Sequence, residues 1–473
     1  MESLNKVPFH EVDFLLTTHR FNIAFSYVSK RGLPFIREFI LRLVHLTPMQ
    51  PSQIGAYFSL SKRELKEALG ELFTKEEITY LSDGSISLTN LAKGYFTKVG
   101  DAPQVAVVQQ TESTFAFEIA GFNCVGSKRT HDKWNAGIQL PIKSEHQGLS
   151  ARYVAKHFQQ QFYKLLDKGH MRHILDPEKK TPPSIYKMDS VRKVGQEPIR
   201  ISNEFCFDEF GRFLEYEDLD AFDNDEPVID SIVKAVSERG KSNNLNSVAR
   251  AMEAFSDNVT GEFISDSGIS IKDLMIEVAR RWNDDADIQP FLGPIYSASN
   301  KERMQELIAS VKKELSKEHL DEIQDLIWLA PSDSFWGRSK GFLSIKNLLL
   351  DGAKTTGKKA KAIYKPKIYL PISDKNDKPG LREWKNLFDT PEDCHAYVEG
   401  FFDGSTEVLV LKDKFAVVTY HLSMPSVSPI PIPLGFISKK KEIIENIGQV
   451  VTGYLSSTVG YDDPVDLGDL SGL

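Results

Sequence analysis

The sequence has very little cysteine. Only three cysteines occur among its 473 residues, Cys124, Cys206 and Cys394, and they lie far apart in the chain. A zinc site or a redox centre made from cysteines commonly uses two of them separated by two residues, and the chain contains no such pair. We therefore expect three reduced and mostly buried thiols, because a free cysteine commonly packs like a small apolar residue.

Long apolar runs and an excess of positive charge are also missing. No run approaches the roughly 18 to 20 apolar residues that a membrane-spanning helix needs, and the N-terminal segment has no charged lead followed by an apolar run. These absences predict a cytoplasmic protein with no signal peptide and no membrane partner. The formal net charge is -8, so any contact with nucleic acid must come from local basic patches.

Several common catalytic and cofactor motifs are absent. The chain has no HExxH zinc motif, no GxGxxG dinucleotide motif and no cluster of cysteines and histidines at metal-binding spacing. Gly357-Lys358 resembles the end of a phosphate-binding loop, but neither serine nor threonine follows it, and a predicted helix rather than a strand precedes it. The sequence therefore predicts no resident cofactor and no metal.

The length and composition predict several domains. A chain of 473 residues is too long for one hydrophobic core, and 41% hydrophobic with 26% charged residues is typical of globular proteins. We predict an α+β, multidomain fold with an N-terminal helical domain at 1–100, a mixed α/β central region at 101–320, a C-terminal α/β unit at 321–460 and an acidic tail at 461–473. We expect the tail to be loose.

The local pattern is clearest between residues 33 and 88. Leu33 to Leu46 has apolar residues at helical spacing, and Pro51 suits the first turn of a short second helix. Ser61-x-x-Glu64 has the form of a capping box before a third helix, and Asp83-Gly84 between two short apolar runs predicts a hairpin. Residues 1–33 contain short apolar runs that fit either a strand or a helix. Helical spacing recurs farther along the chain, at 150–167, 228–239, 244–256, 270–282 and 300–316.

Three helices and a hairpin in this order resemble the winged helix-turn-helix of many bacterial transcription regulators. The resemblance rests on a small residue in the second helix, Gly55 or Ala56, on a short turn at 59–61 and on a hairpin ending in Ser87-Leu88-Thr89. It implies that the helix starting at Ser61 enters the major groove of DNA, with its basic residues nearest the duplex and the hairpin beside a phosphate. The candidate contacts are Ser61, Lys62, Arg63, Lys66 and Ser85.

Acidic residues lie in the same neighbourhood as these candidate contacts. They are Glu64, Glu67, Glu71, Glu76 and Glu77. An acid near a phosphate opposes the electrostatic attraction that provides most non-specific affinity for nucleic acid. A second interpretation therefore stays open, in which the winged helix is a scaffold or docks a protein.

Residues 325–455 resemble one half of a phospholipase D-like domain. The similar segments are a strand ending in LIWLAPSDSFW, a helix KGFLSIKNLLLDGA, a strand AIYKPKIYLPI and a hairpin EVLVLKDKFAVV. In catalytically active members the last strand carries His-x-Lys and, farther on, Asp, and the resemblance places Ser405, Glu407 and Lys412 at these positions. A serine without a base and a glutamate facing a phosphate do not support that chemistry, so the resemblance implies an inactive half.

Three histidines are further candidates for a catalytic role. His395 and His421 are candidates for displaced catalytic residues, although we expect both to be structural. His131-Asp132-Lys133 has the start of the catalytic pattern, but Ile138 stands where the aspartate belongs. This segment therefore predicts a polar turn.

A second group of basic residues lies between Gly337 and Lys367, a stretch with a single acid, Asp351. Its candidate nucleic-acid contacts are Arg338, Lys340, Lys354, Lys358, Lys359 and Lys361. Trp336 and Tyr364 are candidate stacking partners for unpaired bases. The alternative is a solvated basic loop with no ligand.

Together these features predict a non-catalytic nucleic-acid-binding component, with DNA as the expected ligand and protein subunits as further partners. A winged helix joined to a degenerate phospholipase D-like unit is similar to accessory subunits of bacterial anti-phage defence or mobile-element systems. Two alternatives stay open. One is a phosphodiesterase or nuclease with a rearranged active site, and the other is an assembly scaffold whose acidic region at 204–230 meets a basic partner.

Overall fold

The structure of the chain is a computed structural model. It describes residues 6–31, 34–99, 101–127, 136–141, 148, 150–175, 182–214, 226–317, 323–354, 361–388, 393–459 and 463–473. Its helices are α1 Phe35–Leu46, α2 Pro51–Tyr57, α3 Lys62–Thr74, α4 Asn90–Lys93, α5 Ala151–Asp167, α6 Glu226–Ser237, α7 Leu245–Ala254, α8 Ile271–Asn283, α9 Ala298–Leu315, α10 Lys340–Gly352, α11 Lys378–Leu387 and α12 Lys441–Leu455. Its strands are β1 Val7–Arg31, β2 Ile78–Tyr80, β3 Ile86–Leu88, β4 Val105–Glu118, β5 Cys124–Gly126, β6 Ile138–Gln139, β7 Ser184–Phe207, β8 Ile264–Ser265, β9 Gly268–Ile269, β10 Gln289–Leu292, β11 Gln324–Leu329, β12 Tyr364–Ile372, β13 Cys394–Val398, β14 Thr406–Leu411, β15 Phe415–Leu422, β16 Ile432–Ser438, β17 Thr458–Val459, β18 Asp463–Pro464 and β19 Asp466–Asp469.

This mixture of helices and sheets agrees with the α+β class expected from the sequence. The predicted helices of the first half and the middle of the chain are present with ends shifted by a few residues, as is usual for local sequence patterns. Among the described residues, no helix is both long and apolar enough to cross a bilayer.

The first strand is long because two successive apolar patterns continue one another. β1 has 25 residues, and it pairs antiparallel with β7 along one side and with β4 along the other. In its second half Phe21, Ile23, Phe25 and Tyr27 alternate along the strand, and this face packs against α5. We call α5, β4, the part of β1 paired with β4, and the facing part of β7 the β arm.

A helical segment is inserted at the end of the β arm. The last residue of β1, Arg31, pairs with the first residue of β4, Val105, so residues 35–96 lie in the connection of a long hairpin. We call residues 35–96 the tip module. The module contains α1 to α4 and the β2–β3 hairpin around a core of its own, which includes Ile40 and Leu72.

The described side-chain contacts of the tip module join its own residues. Arg37 binds Glu77, and the ring of His45 stacks on that of Phe96 with 4.1 Å between the ring centroids. A backbone hydrogen bond from Gln104 to the carbonyl oxygen of Tyr95 ties the end of the module to the segment before β4. The β arm therefore connects a separately packed module to the rest of the chain.

The largest sheet has eight strands in the order β10-β16-β15-β14-β11-β12-β13-β19. β11, β12 and β13 are parallel, and β14, β15 and β16 form an antiparallel meander beside β11. Every residue of the meander strands is buried, as expected for a sheet covered on both faces. α6, α7, α8 and α12 contribute to the core on one face, and α9, α10 and α11 contribute to the core on the other. We call this sheet and these helices the main body.

The hydrophobic cores cross the domain boundaries suggested by the sequence. One core joins Phe9 of β1 to Val228 of α6 and Leu434 of β16. Strand β10, which belongs to the predicted central region, is an edge strand of the eight-stranded sheet. The division at residue 320 thus falls within one sheet, and the start of β1 packs with the main body and not with the tip module.

The end of the chain is ordered where the sequence suggested a loose acidic tail. β19 pairs antiparallel with β13, with His395 opposite Asp469. The side chains of Val465 and Leu470 are buried. That expectation was wrong for residues 463–473, because apolar residues placed between the acids add one more strand to the main sheet.

The three cysteines are free and buried, as expected. Burial raises the pKa of Cys124 and of Cys394 to about 12. These two thiols therefore stay protonated at neutral pH and are poor nucleophiles.

Candidate functional site

The start of α3 presents basic side chains to solvent. The Ser61 hydroxyl accepts a hydrogen bond from the Glu64 backbone N–H at 3.3 Å, and the Glu64 carboxylate accepts one from the Ser61 N–H at 2.8 Å. The capping box expected from the sequence is therefore formed. Leu69 and Leu72 turn the opposite side of α3 to the core, while Lys62, Arg63 and Lys66 are exposed.

The acids near these cations are mostly engaged with other groups of the tip module. Glu64 is held in the cap, and the hydrogen bonds from Ser61 keep its pKa below the usual value. Glu71 is bound by Lys75, and Glu77 is buried against Arg37. Only Arg63 of the three cations is paired with one of these acids, Glu67, at 3.2 Å.

The Arg63–Glu67 pair leaves the cationic end of α3 accessible. The side chains of Arg63 and Glu67 are 89% and 68% exposed, and such pairs on a helix surface contribute only about 0.3–0.5 kcal/mol. Among the described residues, neither Lys62 nor Lys66 has an ion-pair partner. Three cations are thus available at the first turns of α3.

Ser85 does not face solvent in the way that a phosphate contact requires. It is 5% exposed, and both its backbone N–H and its hydroxyl donate hydrogen bonds to Asp83 Oδ1, at 2.9 and 2.6 Å. These bonds close the turn between β2 and β3, where Gly84 has a φ of +81°. The hydroxyl therefore stabilises the turn, and the hairpin tip supplies no basic residue.

The second basic group does not converge on one surface. Lys340 lies at the first residue of α10, whereas Lys354 and Lys361 lie beyond its last turn, about 20 Å away for a helix of 13 residues. These three side chains are exposed. Lys358 and Lys359 lie outside the described residues. Arg338 is half-buried, binds Glu383 and lies over the ring of Trp384, so its charge is already neutralised.

The expected stacking partners are inside the main body. Trp336 and Tyr364 are fully buried. The indole N–H of Trp336 donates to Glu407 at 2.9 Å, and the hydroxyl of Tyr364 donates to the carbonyl oxygen of Leu349 at 2.7 Å. Neither ring is available to stack on a base, so this expectation was wrong.

The positions that correspond to the phospholipase D-like motif are separated in space. Ser405 and Glu407 lie at the start of β14 and are buried, and the Ser405 carbonyl oxygen accepts a hydrogen bond from the His421 N–H at 2.7 Å. Lys412 lies beyond the other end of β14, exposed in the turn that leads to β15. His421 thus lies beside Ser405 and Glu407, whereas Lys412 lies at the opposite end of β14.

His421 joins two carboxylates in the centre of the main body. Its Nδ1 lies 2.7 Å from Asp333 Oδ2, and its Nε2 lies 3.3 Å from Glu407 Oε2. The other oxygen of Glu407 accepts hydrogen bonds from the indole N–H groups of Trp328 and Trp336, at 2.7 and 2.9 Å. We call these five residues the His421 network.

The carboxylates keep His421 charged. Burial by itself would lower the pKa of His421, but the hydrogen bonds to Asp333 and Glu407 outweigh burial and raise it to about 9. Burial likewise acts to raise the pKa of Asp333, yet the hydrogen bond to His421 holds it below its usual value. At neutral pH the network therefore contains an imidazolium between carboxylates.

This arrangement does not suit a catalytic histidine. A general base or a nucleophile needs an unprotonated ring nitrogen directed at the substrate. In His421 both ring nitrogens are engaged by carboxylates, and both carry protons at neutral pH because the pKa is about 9. His395 lies elsewhere, on β13, where it stacks on Tyr369 and lies 3.3 Å from Asp469.

A polar cavity lies beside the His421 network. It has a volume of about 320 Å³, and its wall includes Asp333, His421, Asp403 and Lys241. The carboxylate of Asp403 accepts hydrogen bonds from Ser247 and Arg250, and Lys241 donates to the carbonyl oxygen of Ser332. Most of the polar side chains of this wall already have partners in the protein, so the cavity can hold a small polar molecule but offers no activated nucleophile.

The backbone beside this cavity is strained. Phe402 and Asp403 have φ values of +46° and +55°, and Gly404 follows with +73°. Left-handed conformations are unfavourable for residues with a Cβ, and they persist where surrounding contacts enforce them. Here the hydrogen bond from Ser247 to Asp403, at 2.5 Å, attaches the turn to α7.

One further sequence pattern, Gly-x-Ser-x-Gly at residues 337–341, also lies in the main body. In α/β-hydrolases this pattern forms a strained turn that exposes the serine as a nucleophile. Ser339 instead has an extended backbone, with a φ of -141°, and its side chain is fully buried. It precedes the first turn of α10 and is not placed to attack a substrate.

Sequence reasoning missed the partners of His421. The signal was present, because Glu407 and His421 stand within the apolar runs of β14 and β15, and a charged residue is rarely buried unless it is paired. Asp333 follows β11 without such a signal. The candidates at His131-Asp132-Lys133 and the acidic stretch 215–225 lie outside the described residues.

No metal centre is found among the described parts of the chain, where no group of three or more His, Cys, Asp or Glu residues has a metal-binding arrangement. Compared with known protein families, the chain matches none, and among curated proteins none is similar to it in sequence.

Proposed function

We propose that this chain is a non-catalytic nucleic-acid-binding component, with duplex DNA as its ligand and the first turns of α3 as a contact. The observation that carries the proposal is the exposure of Lys62, Arg63 and Lys66 on a capped helix whose neighbouring acids are mostly engaged with other groups. Cations that face solvent together can replace the counterions of DNA phosphates, which is the main source of affinity for DNA.

The position of α3 in the chain supports this function. The tip module has its own core and is connected to the main body through the β arm. The sequence of three helices and a hairpin is the order that a winged helix uses, and that resemblance implies that α3 reads the major groove. A duplex can then approach α3 without displacing other described contacts of the module.

The geometry of the main body supports the non-catalytic part of the proposal. The phospholipase D-like positions hold Ser405, Glu407 and Lys412, and the nearby His421 has both ring nitrogens engaged. The His421 network resembles a buried structural hydrogen-bond network more closely than a reactive centre, because its carboxylate oxygens bind the imidazolium and two indole N–H groups.

Protein docking is the second candidate function of the tip module. Large apolar side chains are exposed on it, including Phe35, Tyr57, Tyr80, Leu81 and Leu91. A contiguous patch of exposed apolar groups commonly marks a contact with another protein, and these side chains are the candidates for such a patch. This alternative agrees with the expectation that the chain works with partner subunits, and it predicts that the cations of α3 are dispensable for DNA binding.

Replacing Lys62, Arg63 and Lys66 by alanine tests the α3 contact. Loss of three phosphate contacts should reduce the magnitude of the salt dependence, d log K/d log[salt], by about 2.7. When the salt concentration rises from 50 to 200 mM, the wild type should therefore lose about 40-fold more affinity than the variant. Fluorescence anisotropy with a labelled duplex measures this. The control removes three exposed lysines of the main body, Lys234→Ala, Lys272→Ala and Lys313→Ala. An equal effect in both variants, or none in either, would contradict the α3 contact.

Nuclease activity is expected to be absent. Purified protein incubated with supercoiled plasmid and Mg²⁺ or Mn²⁺ should leave the plasmid uncut, because His421 is held as an imidazolium between two carboxylates. Gel electrophoresis of the plasmid is the measurement. Cleavage that disappears in a His421→Asn variant but persists in Glu302→Ala would show that the chain is a nuclease. It would contradict the proposal of a non-catalytic component.

A further inference from the structure

The outer face of α5 is basic in an otherwise acidic protein. Residues 150–175 contain five Lys or Arg residues and one acid, Asp167, whereas the whole chain has a net charge of -8. Arg152, Lys156 and Tyr163 are all exposed. Their spacing of i, i+4 and i+11 places them within about 40° of one another around a helix with 3.6 residues per turn.

The opposite face of α5 explains why these side chains must point to solvent. Val154, Phe158 and Phe162 are buried against the sheet of the β arm, and the ring centroid of Phe158 lies 5.2 Å from that of Phe25. Ser150 caps the start of α5, and its hydroxyl accepts a hydrogen bond from the Tyr153 N–H. α5 is thus anchored along its apolar side, and Arg152, Lys156 and Tyr163 occupy a fixed row on the outside.

The row on α5 is close enough to the tip module to meet the same ligand. Tyr153 and His157, which neighbour Arg152 and Lys156 on α5, pack on Phe122, and Phe122 contacts Phe21 of β1. Phe21 precedes the end of β1 at Arg31 by ten residues, or about 33 Å at about 3.3 Å per residue. Successive phosphates of one strand of B-DNA are spaced about 3.4 Å along the helix axis. A duplex that extends about ten base pairs beyond the tip module therefore spans this distance along the β arm.

We propose that the outer face of α5 is a second nucleic-acid contact, at which Arg152 and Lys156 bind the phosphate backbone of a duplex held by the tip module. The inference rests on the proposed function, because the duplex on α3 is what brings phosphates beside the arm. The flat exposed ring of Tyr163 lies in the same row, and an aromatic hydroxyl beside two cations suits a sugar-phosphate surface. Polyanions fit this surface better than a protein partner does, because the row contains cations and a polar aromatic ring but no aliphatic side chain.

The experiment compares two lengths of duplex and two variants of the full chain. The probes are fluorescein-labelled duplexes of 10 and 30 base pairs, titrated between 50 and 200 mM NaCl. The arm variant is Arg152→Ala with Lys156→Ala, and the tip variant is Lys62→Ala, Arg63→Ala and Lys66→Ala. The matched control, Lys234→Ala with Lys272→Ala, removes two exposed lysines from α6 and α8 of the main body.

With the 30-base-pair duplex, the magnitude of d log K/d log[salt] should be smaller by about 1.8 for the arm variant than for the wild type. The wild type should therefore lose about tenfold more affinity than the variant between 50 and 200 mM NaCl. With the 10-base-pair duplex the arm variant should bind like the wild type, whereas the tip variant should bind both lengths more weakly. An unchanged unfolding midpoint shows that the arm variant is folded.

The arm contact is overturned if the arm variant binds the 30-base-pair duplex with the affinity and salt dependence of the wild type. It is also overturned if the control variant shows the same loss. Failure of the wild type to bind either duplex would remove the proposed function together with the arm contact. A loss in the arm variant without any loss in the tip variant would support the arm contact and overturn the α3 contact, so the two proposals fail separately.

Discussion

Replacing Glu407 by alanine is expected to lower the free energy of unfolding of the main body by about 3–5 kcal/mol, the usual result of removing one partner from a buried charged pair. The carboxylate is fully buried and accepts hydrogen bonds from Trp328 and Trp336 while facing His421. Without it, two buried indole N–H groups lose their acceptor, and the imidazolium keeps Asp333 as its remaining partner. The loss would be several times that of an ordinary surface substitution.

Chemical denaturation followed by tryptophan fluorescence measures this effect, because Trp328, Trp336 and Trp384 lie in one core of the main body. Glu407→Gln is a graded control, since its amide oxygen still accepts from an indole but carries no charge, and its loss should be about 1–3 kcal/mol. Glu302→Ala, exposed on α9, should change stability by less than about 0.5 kcal/mol. A Glu407→Ala protein as stable as Glu302→Ala would show that the network does not support the fold.

The stability of the main body is expected to fall on both sides of about pH 6.5, because two buried histidines have pKa values shifted in opposite directions. The pKa of His421 is raised to about 9 despite burial, through its hydrogen bonds to Asp333 and Glu407. The pKa of His10 is lowered to about 4, chiefly by burial, with Asp333 acting in the opposite direction. The ordinary value for both is 6.5.

The direction in which stability changes with pH depends on whether the folded or the unfolded chain holds the proton. Above pH 6.5 the unfolded chain loses the proton of His421 while the folded chain keeps it, so the stabilisation present below pH 6.5 is lost as the pH rises towards 9. Below pH 6.5 the unfolded chain protonates His10 while the folded chain does not, so stability is lost as the pH falls towards 4. Each histidine contributes a slope of up to about 1.4 kcal/mol per pH unit.

Denaturation curves at a series of pH values between about 4.5 and 8.5 measure both slopes. His421→Gln should be less stable overall and should lose the decline above pH 6.5. His10→Gln should show a shallower decline below pH 6.5, because His395 and Glu277, whose pKa values are also lowered, still contribute there. Because the charge of His421 also lowers the pKa of His10, His421→Gln should in addition lessen the decline below pH 6.5, whereas His10→Gln should leave the decline above pH 6.5 in place. An undiminished decline above pH 6.5 in His421→Gln would contradict the assigned charge of the network.

Local sequence patterns predicted the tip module well. The capping box of Ser61 and Glu64 and the turn at Asp83-Gly84 depend on residues a few positions apart, and their hydrogen bonds form within those segments. The same holds for α5, whose apolar face is encoded at helical spacing. Whether this arrangement binds DNA is a separate question, and the α3 contact stays a prediction.

Strands that depend on distant partners were harder to predict. The polar stretch from Ser184 to Pro198 has little apolar alternation, yet it forms most of β7 because β1 supplies its hydrogen-bonding partner. The short runs in residues 1–33 fitted either a helix or a strand until their pairing with β4 and β7 was known. The terminal strand β19 likewise depends on β13, which is about 70 positions earlier in the chain.

The roles of single polar residues depended most on the tertiary structure. Trp336 and Tyr364 were expected on a surface, but their polar atoms bind groups inside the main body. Ser85 was expected to face a phosphate, but its hydroxyl bonds to Asp83. In each case the sequence shows that a polar atom is present without showing which distant or local atom satisfies it.

The amino-acid sequence by itself determined the helices, the caps and turns, the buried character of the meander strands and the clustering of charge, since these follow from residues that are near one another in the chain. Only the tertiary structure decided that β1 joins the main body to the arm, that His421 lies between Asp333 and Glu407, and that α5 packs on the sheet of the β arm. The physical reason is that burial, charge pairing and strand pairing are set by which distant segments meet, and those contacts have no fixed spacing in the sequence.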